Sequence, residues 1–184
     1  MLDAAAISAH LVRTNDITQL GVFLVGIDSA LRGCDLLAVR VQDIRDHHGN
    51  IRAEFTAHQR KLERTRSGRA RKVMVHCQLS PKTQAVLATL VVGKSADELL
   101  FPVCTRTLRR WVKGWATLCG LDPGEHSGHS LRRTLPAAIY RATKDVEACR
   151  QILSHSNLQH TSAYLGISRG DAFAAARRAL GHVS

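Results

Sequence analysis

The spacing of apolar residues constrains the fold most, because it follows the period of an α-helix along most of the chain. In the stretch 16–31, apolar side chains recur three or four positions apart, at Ile17, Leu20, Phe23, Leu24, Ile27 and Leu31. This spacing predicts an amphipathic helix, with Asn15 or Asp16 placed to cap its start. Further helical segments are predicted over 35–39, 81–92, 105–118, 130–141, 144–153 and 168–180.

Strands are predicted only in a short part of the chain. Residues 41–45 and 51–56 have the composition of two strands joined by a turn at His48-Gly49-Asn50, and 73–76 that of a third. The chain has 184 residues, 45% of them apolar, which is enough for the core of one domain. The sequence therefore predicts a single, mainly α domain over 1–184 with a small antiparallel β-sheet, an α+β fold.

The chain is strongly basic, with 26 Lys and Arg, 15 Asp and Glu, and a formal net charge of +11. Such a charge attracts polyanions: nucleic acid, anionic lipid or acidic proteins. No apolar run approaches the roughly 18 residues that a membrane span needs, and the first ten residues lack the basic cluster of a secretory signal. Five scattered cysteines argue against a disulfide framework, so a cytoplasmic protein is expected.

Several common catalytic sites are absent from the sequence. It has no P-loop, no dinucleotide-binding fingerprint and no GxSxG nucleophile motif. Its acidic residues do not cluster as in metal-dependent nucleases, and no Cys or His pairs complete a zinc site. We therefore expect neither a metal nor another cofactor.

Candidate functional residues are concentrated in two regions. His129 and Arg132 are three positions apart and so share one helix face. At a helix start, an arginine fork and free amide groups suit a phosphate; a solvated helix face is the alternative. The second region, 60–72, carries seven Lys or Arg against one acidic residue. Trp111 and Trp115, four positions apart, are expected in the core.

Four segments resemble the motif boxes of the tyrosine recombinases, also called the phage integrase family. Residues 30–39, ALRGCDLLAV, resemble the first arginine box, and 129–134, HSLRRT, resemble the HxxR box. Residues 151–156, QILSHS, are similar to the LGHS element, with Ser154 where glycine is usual, and 161–165, TSAYL, to the nucleophile segment. The order agrees with the family, as do the separations of 32 residues from Arg132 to Tyr164 and 9 from His155 to Tyr164.

This resemblance implies the fold of a tyrosine recombinase catalytic domain and the residues of its site. The implied catalytic residues are Arg32, His129, Arg132, His155 and Tyr164, together with a lysine on the sheet, for which we select Lys61, with Lys72 as the competing candidate. The residues expected to contact DNA are Arg60, Arg64, Arg66, Arg69, Arg109, Arg110, Lys113 and Arg133. Arg32 could instead pair with Asp28, four residues earlier.

These residue types suit DNA cleavage without hydrolysis. A tyrosine can store the cleaved bond as a phosphotyrosine ester, with His129 accepting its proton and His155 donating a hydrogen bond to a non-bridging oxygen. Arg32 and Arg132 can clamp the negative charge on the phosphoryl oxygens, and the Lys61 ammonium can protonate the leaving 5′ oxygen. Neither ATP nor a metal is implied.

The chain differs from most family members in that only about thirty residues precede Arg32, so the N-terminal core-binding domain is expected to be absent. A short invertase-like member, an excised fragment and a minimal integrase that relies on oligomerisation all fit this difference. The expected function is a site-specific recombinase of integrase or invertase type in the cytoplasm, associated with the nucleoid. Its expected partners are double-stranded DNA and further copies of itself, in a dimer or tetramer on DNA, with no membrane. A type IB topoisomerase-like relaxase, a catalytically idle DNA-binding or regulatory module and an RNA-binding protein are the alternatives.

Overall fold

The secondary structure is mainly helical in this computed structural model, which describes residues 2–60, 63–64, 70–71, 73–155, 157–167, 170 and 177. The helices are α1 (Ala4–Arg13), α2 (Ile17–Ser29), α3 (Gly33–Leu36), α4 (Val41–Ile44), α5 (Pro81–Leu90), α6 (Thr105–Leu118), α7 (Gly128–Thr143), α8 (Val146–Leu153) and α9 (Leu158–Leu165). The strands are β1 (Glu54–His58), β2 (Glu63–Arg64), β3 (Ala70–Arg71) and β4 (Met74–Gln78). The predicted α+β class is confirmed.

The core is built around α2, which packs against α1, α5 and α7. Its start is capped by Asp16, whose carboxylate accepts a hydrogen bond from the Gln19 amide at 2.9 Å. The ring of Phe23 on α2 meets that of Trp115 on α6 edge to face, with centroids 5.0 Å apart. Trp115 is buried and Trp111 packs partly buried against the same core, so the prediction that both tryptophans are core residues is confirmed.

The sheet supports one side of this core. Strands β1 and β4 pair antiparallel, with Phe55 opposite Cys77 and Ala57 opposite Val75. These four side chains are buried while their neighbours along each strand face outward, as the two-residue period of a strand requires. The short strands β2 and β3 pair antiparallel between them in the chain.

The prediction of a strand over 41–45 is wrong, because these residues form the helical turn α4. The Asp43 carboxylate accepts a hydrogen bond from the Arg40 amide at 2.7 Å, which closes the turn locally. The amides of Val41 and Gln42 donate to the carbonyls of Glu98 and Ala96, so they have partners without a strand. Only a single antiparallel bridge, between Arg45 and Ile51, remains of the predicted hairpin.

Other helices also differ from the prediction. Helix α1 was not predicted, although Asp3 caps it by accepting hydrogen bonds from two amides, and α9 was not predicted as a helix. Lys144, the predicted start of α8, instead ends α7 in a left-handed conformation. The predicted helix 168–180 lies outside the described residues except for 170 and 177. None of the helices in the described ranges is long and apolar enough to span a membrane.

Candidate active site

Four of the predicted site residues come together from separate elements. Arg32 lies at the start of α3, Arg132 on α7, His155 just after α8 and Tyr164 on α9. The rings of His155 and Tyr164 meet edge to face with centroids 5.7 Å apart. The charges of Arg32 and Arg132 act on both His155 and Tyr164.

Arg132 is a deeply buried cation of the site, with 2% of its surface exposed. Its Nη2 donates to the carbonyl oxygen of Leu153 at 2.8 Å, at the end of α8. Burial, and next the charge of Arg32, lower the pKa of Arg132, but a guanidinium stays protonated in a protein. The position of α7 follows from close packing on α2, where Gly26 leaves the space that Leu131 fills.

Tyr164 is half-buried beside these cations. Burial raises the pKa of its hydroxyl, while the charges of Arg132 and Arg133 oppose that increase. The guanidinium of Arg133 lies over the phenol ring, with its central carbon 5.4 Å from the ring centroid, within the range of a cation–π contact. The phenol is thus flanked by positive charge, which is the environment that stabilises a phenolate.

His155 is held by Thr161, a fully buried residue of α9. The His155 Nδ1 and Thr161 Oγ1 atoms are 3.1 Å apart. Burial first, and then the charges of Arg132 and Arg32, lower the pKa of His155 to about 4. His155 is therefore a neutral imidazole at pH 7. The preceding Ser154 ends α8 at a φ of 50°, a left-handed conformation that favours the glycine usual at this point of the motif.

His129 approaches the phenol through its backbone. Its carbonyl oxygen accepts a 3.4 Å hydrogen bond from the Tyr164 hydroxyl, and its side chain is exposed. His129 lines a cavity of about 380 Å³, which is surrounded by the starts of α3, α6 and α7. Arg32 and Arg109 line the same cavity and bring two positive charges to it.

The residues predicted to contact DNA are distributed more widely. Arg109 lines the cavity just described, but its neighbour Arg110 lines a separate groove between α1 and α6. Lys113 is exposed on α6, and Arg60 is exposed directly after β1. Both lysine candidates, Lys61 and Lys72, lie outside the described residues, as do Arg66 and Arg69; of Arg64 only the backbone, in β2, is described.

Sequence reasoning missed two buried polar residues beside Arg32. Asp35, 1% exposed, accepts a 2.8 Å hydrogen bond from the Arg60 amide. Gln59, 2% exposed, accepts one from the Arg32 guanidinium through its Oε1. Asp35 stands three positions after Arg32 within the arginine box, which was a signal; Gln59 extends the buried row of β1, which was a weaker one.

Arg32 does not pair with Asp28. The Asp28 carboxylate instead accepts hydrogen bonds from the Ser80 amide at 2.7 Å and the Thr83 hydroxyl at 2.6 Å, which join α2 to the start of α5. Within the described ranges, no group of three or more His, Cys, Asp or Glu side chains is arranged to hold a metal ion.

Comparison with known proteins identifies the family. The model of the phage integrase family matches residues 2–169. The chain belongs to the phage integrase family. A relative in Bacillus subtilis, named "Probable integrase/recombinase YoeC", is 28% identical over 152 residues, which cover 79% of this chain and 76% of that protein. The tyrosine recombinase XerA of Saccharolobus solfataricus is 27% identical over 138 residues, covering 75% of this chain and 42% of that protein.

Solved structures of recombinases share the fold. A crystal structure of XerA recombinase has a TM-score of 0.66 at 16% identity and covers 95% of this chain. The XerH site-specific recombinase, bound to its difH substrate before cleavage, has a TM-score of 0.64 at 15% identity and covers 94% of this chain. The predicted tyrosine recombinase catalytic-domain fold is therefore confirmed. This chain covers 60% and 51% of those two chains.

Proposed function

We propose that this chain is a site-specific DNA recombinase that cleaves and rejoins strands through a 3′-phosphotyrosine at Tyr164. The single observation that carries the proposal is that positive charge from the buried Arg132, and from Arg32, acts on the Tyr164 phenol. A phosphodiester is the ligand that two such charges and a nucleophile suit together. Family membership and the DNA-bound state of the XerH neighbour support the same conclusion.

The reaction is a transfer of the phosphoryl group from one oxygen to another. The Tyr164 oxygen forms a bond to phosphorus while the bond from phosphorus to the 5′ oxygen breaks. The phenol proton passes to the His129 ring, and the leaving 5′ oxygen takes a proton from the Lys61 ammonium or, as the alternative, from Lys72. Attack of a 5′ hydroxyl on the phosphotyrosine reverses these steps, so no external energy source is consumed.

The two arginines stabilise the charge that develops on the non-bridging oxygens. Removing one fixed donor of this kind from an active site typically slows the reaction by about 100- to 1000-fold. Arg133, over the phenol ring, favours the phenolate by its charge. We therefore assign to Arg133 a role in activating the nucleophile, in addition to the expected contact with DNA.

His155 donates a hydrogen bond to a non-bridging oxygen as a neutral imidazole. When the Thr161 hydroxyl donates to Nδ1, the ring proton lies on Nε2, which is then free to donate to the phosphate. A threonine hydroxyl can either donate or accept, and donation to Nδ1 is the arrangement that this role of His155 requires. We infer that double-stranded DNA is the partner and that several copies assemble on it, with the protein associated with the nucleoid.

The test traps the covalent intermediate. A library of nicked duplexes with randomised arms lets the cleaved fragment diffuse away, so a reacting protein remains attached to DNA. We expect wild type to yield an adduct that survives detergent electrophoresis, and Tyr164→Phe to yield none while its melting temperature changes little. Sequencing the captured DNA gives the recognised site.

Other outcomes separate the alternatives. Salt-sensitive DNA binding without any adduct would indicate an idle DNA-binding module. Relaxation of supercoiled plasmids irrespective of sequence would indicate a relaxase. Adduct formation by Tyr164→Phe at the wild-type level would contradict the assignment of the nucleophile.

A further inference from the structure

Gln59 occupies a position at which the pattern of its strand calls for an apolar residue. Phe55, Ala57 and Gln59 are buried and alternate with the less buried Thr56 and His58, and Gln59 is 2% exposed. Its backbone N–H donates to the Val73 carbonyl at 2.9 Å, so the pairing of β1 and β4 fixes where the side chain begins. Burying a polar amide is unfavourable unless it is hydrogen-bonded.

The partner of this amide is the guanidinium of Arg32. Nη1 of Arg32 donates to Oε1 of Gln59, and no other side chain in the described ranges accepts from that guanidinium. The Arg32 backbone is anchored separately, because its carbonyl accepts from the Asp35 and Leu36 amides, both at 2.8 Å. A long, flexible side chain is thus fixed at its base by α3 and at its tip by Gln59.

The acceptor is neutral, which matters beside a second cation. The charge of Arg32 contributes to lowering the pKa of Arg132, so the two guanidiniums repel each other. Gln59 holds Arg32, and the Leu153 carbonyl holds Arg132, through uncharged acceptors, while the charge of the buried Asp35 acts on Arg132. A glutamate at position 59 would form a salt bridge and reduce the charge that Arg32 can offer to a phosphate.

We propose that Gln59 is a positioning residue that orients the Arg32 guanidinium toward the scissile phosphate. The effect of Gln59 on catalysis rests on the proposed function. The orientation of Arg32 by Gln59 does not. One of the five guanidinium N–H groups is used by Gln59, and the others stay available to phosphate oxygens. The Nε2 group of Gln59 is buried and has no hydrogen-bond partner in the described part of the chain. Within those residues, the bond that its Oε1 accepts from Arg32 is therefore the side chain's hydrogen bond.

The first measurement needs no DNA cleavage. In protein labelled with ¹⁵N-arginine, the Arg32 Nε–H signal is assigned by its loss in Arg32→Lys. We expect its order parameter to fall in Gln59→Leu, which keeps the size and burial but removes the acceptor, and to stay high in Gln59→Glu. The matched control is Thr83→Val, another buried polar residue, on α5, whose hydroxyl bonds Asp28. An order parameter unchanged in Gln59→Leu would overturn the proposal.

The second measurement is single-turnover adduct formation on a nicked duplex captured by wild type. A displacement of about 1 Å in a positioning group can cost about 100-fold in rate, so we expect Gln59→Leu to be ten- to 100-fold slower at unchanged DNA affinity. On a duplex with an uncharged methylphosphonate at the scissile position, the slowing should shrink to less than about threefold, because charge stabilisation is no longer required. Gln59→Glu should show the same pattern, which provides a second variant if Gln59→Leu does not fold.

The combined variants separate positioning from a general loss of stability. Because Gln59 acts through Arg32, Arg32→Ala with Gln59→Leu should be no slower than Arg32→Ala alone. Multiplying effects, or equal slowing on the charged and uncharged substrates, would overturn the proposal. If wild type forms no adduct while the Arg32 signal still responds to Gln59→Leu, the orientation by Gln59 stands and the proposed function fails.

Discussion

At the residue scale, the two arginines of the site are held by uncharged oxygen atoms. Arg32 donates to the Gln59 side chain and Arg132 to the Leu153 carbonyl. Their charges therefore extend into the site, where they disfavour a further positive charge. His155 is affected in this way, since burial and the charges of both arginines lower its pKa to about 4.

The depressed pKa of His155 makes the stability of the fold depend on pH. Between pH 7 and pH 5 the unfolded chain takes up a proton at this histidine, with an ordinary pKa near 6.5, and the folded chain does not. The free energy of unfolding should therefore decrease as the pH is lowered from 7 to 5. The contribution of this residue is about 1 kcal/mol after allowance for its partial exposure. Urea denaturation at pH 7 and pH 5 measures the change. His155→Gln should lose less than wild type over this interval, and the exposed control His76→Gln should match wild type. Equal losses in wild type and His155→Gln would contradict the prediction.

The sequence motifs predicted which residues approach one another in the site, but only for residues that belong to a motif. The spacing of the boxes identified Arg32, Arg132, His155 and Tyr164, which the fold brings together. The contact through the His129 carbonyl was not predictable, because it depends on where α7 begins, two residues earlier than expected. Gln59 was missed because its partner is 27 positions away and is reached only through the register of the sheet.

At the element scale, the sequence predicts helices best where the apolar period and a cap agree. Helix α2 has both, and its predicted extent is confirmed within a few residues. The segment 41–45 has neither a clear period nor a cap that is visible without the fold. Two of its amides bond to carbonyls more than fifty positions away, so its conformation follows from tertiary contacts.

The close packing of α2 on α7 gives a prediction at this scale. A Cβ atom on Gly26 would lie 2.3 Å from Leu131 Cδ2 and 2.8 Å from its Cγ, and Leu131 is too buried to swing away. We expect Gly26→Ala to lower the free energy of unfolding by about 1–3 kcal/mol through overpacking. Gly114→Ala on α6 is the matched control, because no atom lies within 4 Å of the added Cβ. There the loss of backbone freedom in the unfolded chain should raise stability by about 0.5–1 kcal/mol.

Denaturation in urea checks both glycine variants. Because Leu131 precedes Arg132, Gly26→Ala should also slow adduct formation on a captured duplex, whereas Gly114→Ala should not. Wild-type stability in Gly26→Ala would mean that the two helices can move apart at little cost.

At the scale of the whole molecule, the net charge of +11 does not say which surface meets DNA. The fold separates two neighbouring arginines of α6 that sequence reasoning treated alike. Arg109 lines the cavity with Arg32, and Arg110 lines the groove beside Trp111 and α1. Charge-neutral variants of the two therefore test which side of the molecule carries the nucleic acid.

We expect Arg109→Gln to weaken binding to duplex DNA and Arg110→Gln to change it little. Each phosphate contact contributes about 0.9 to the slope of log K against log salt concentration for duplex DNA. The slope for Arg109→Gln should therefore be smaller in magnitude by about one than the slopes for wild type and Arg110→Gln. Fluorescence anisotropy on a labelled duplex over a range of salt concentrations measures these slopes. The reverse order of the two variants would place the DNA on the α1 side.

The position of Arg132 has a consequence for how the protein exists without its substrate. Burial and the like charge of Arg32 outweigh the opposing effects of Tyr164 and Asp35 and lower the pKa of Arg132, so the folded chain carries an unfavourable electrostatic energy at this residue. A phosphate ester bound near Arg32 and Arg132 would add negative charge and lower that energy. The DNA backbone would then complete the interior of the domain as well as being its substrate, and occupancy and folding would rise together.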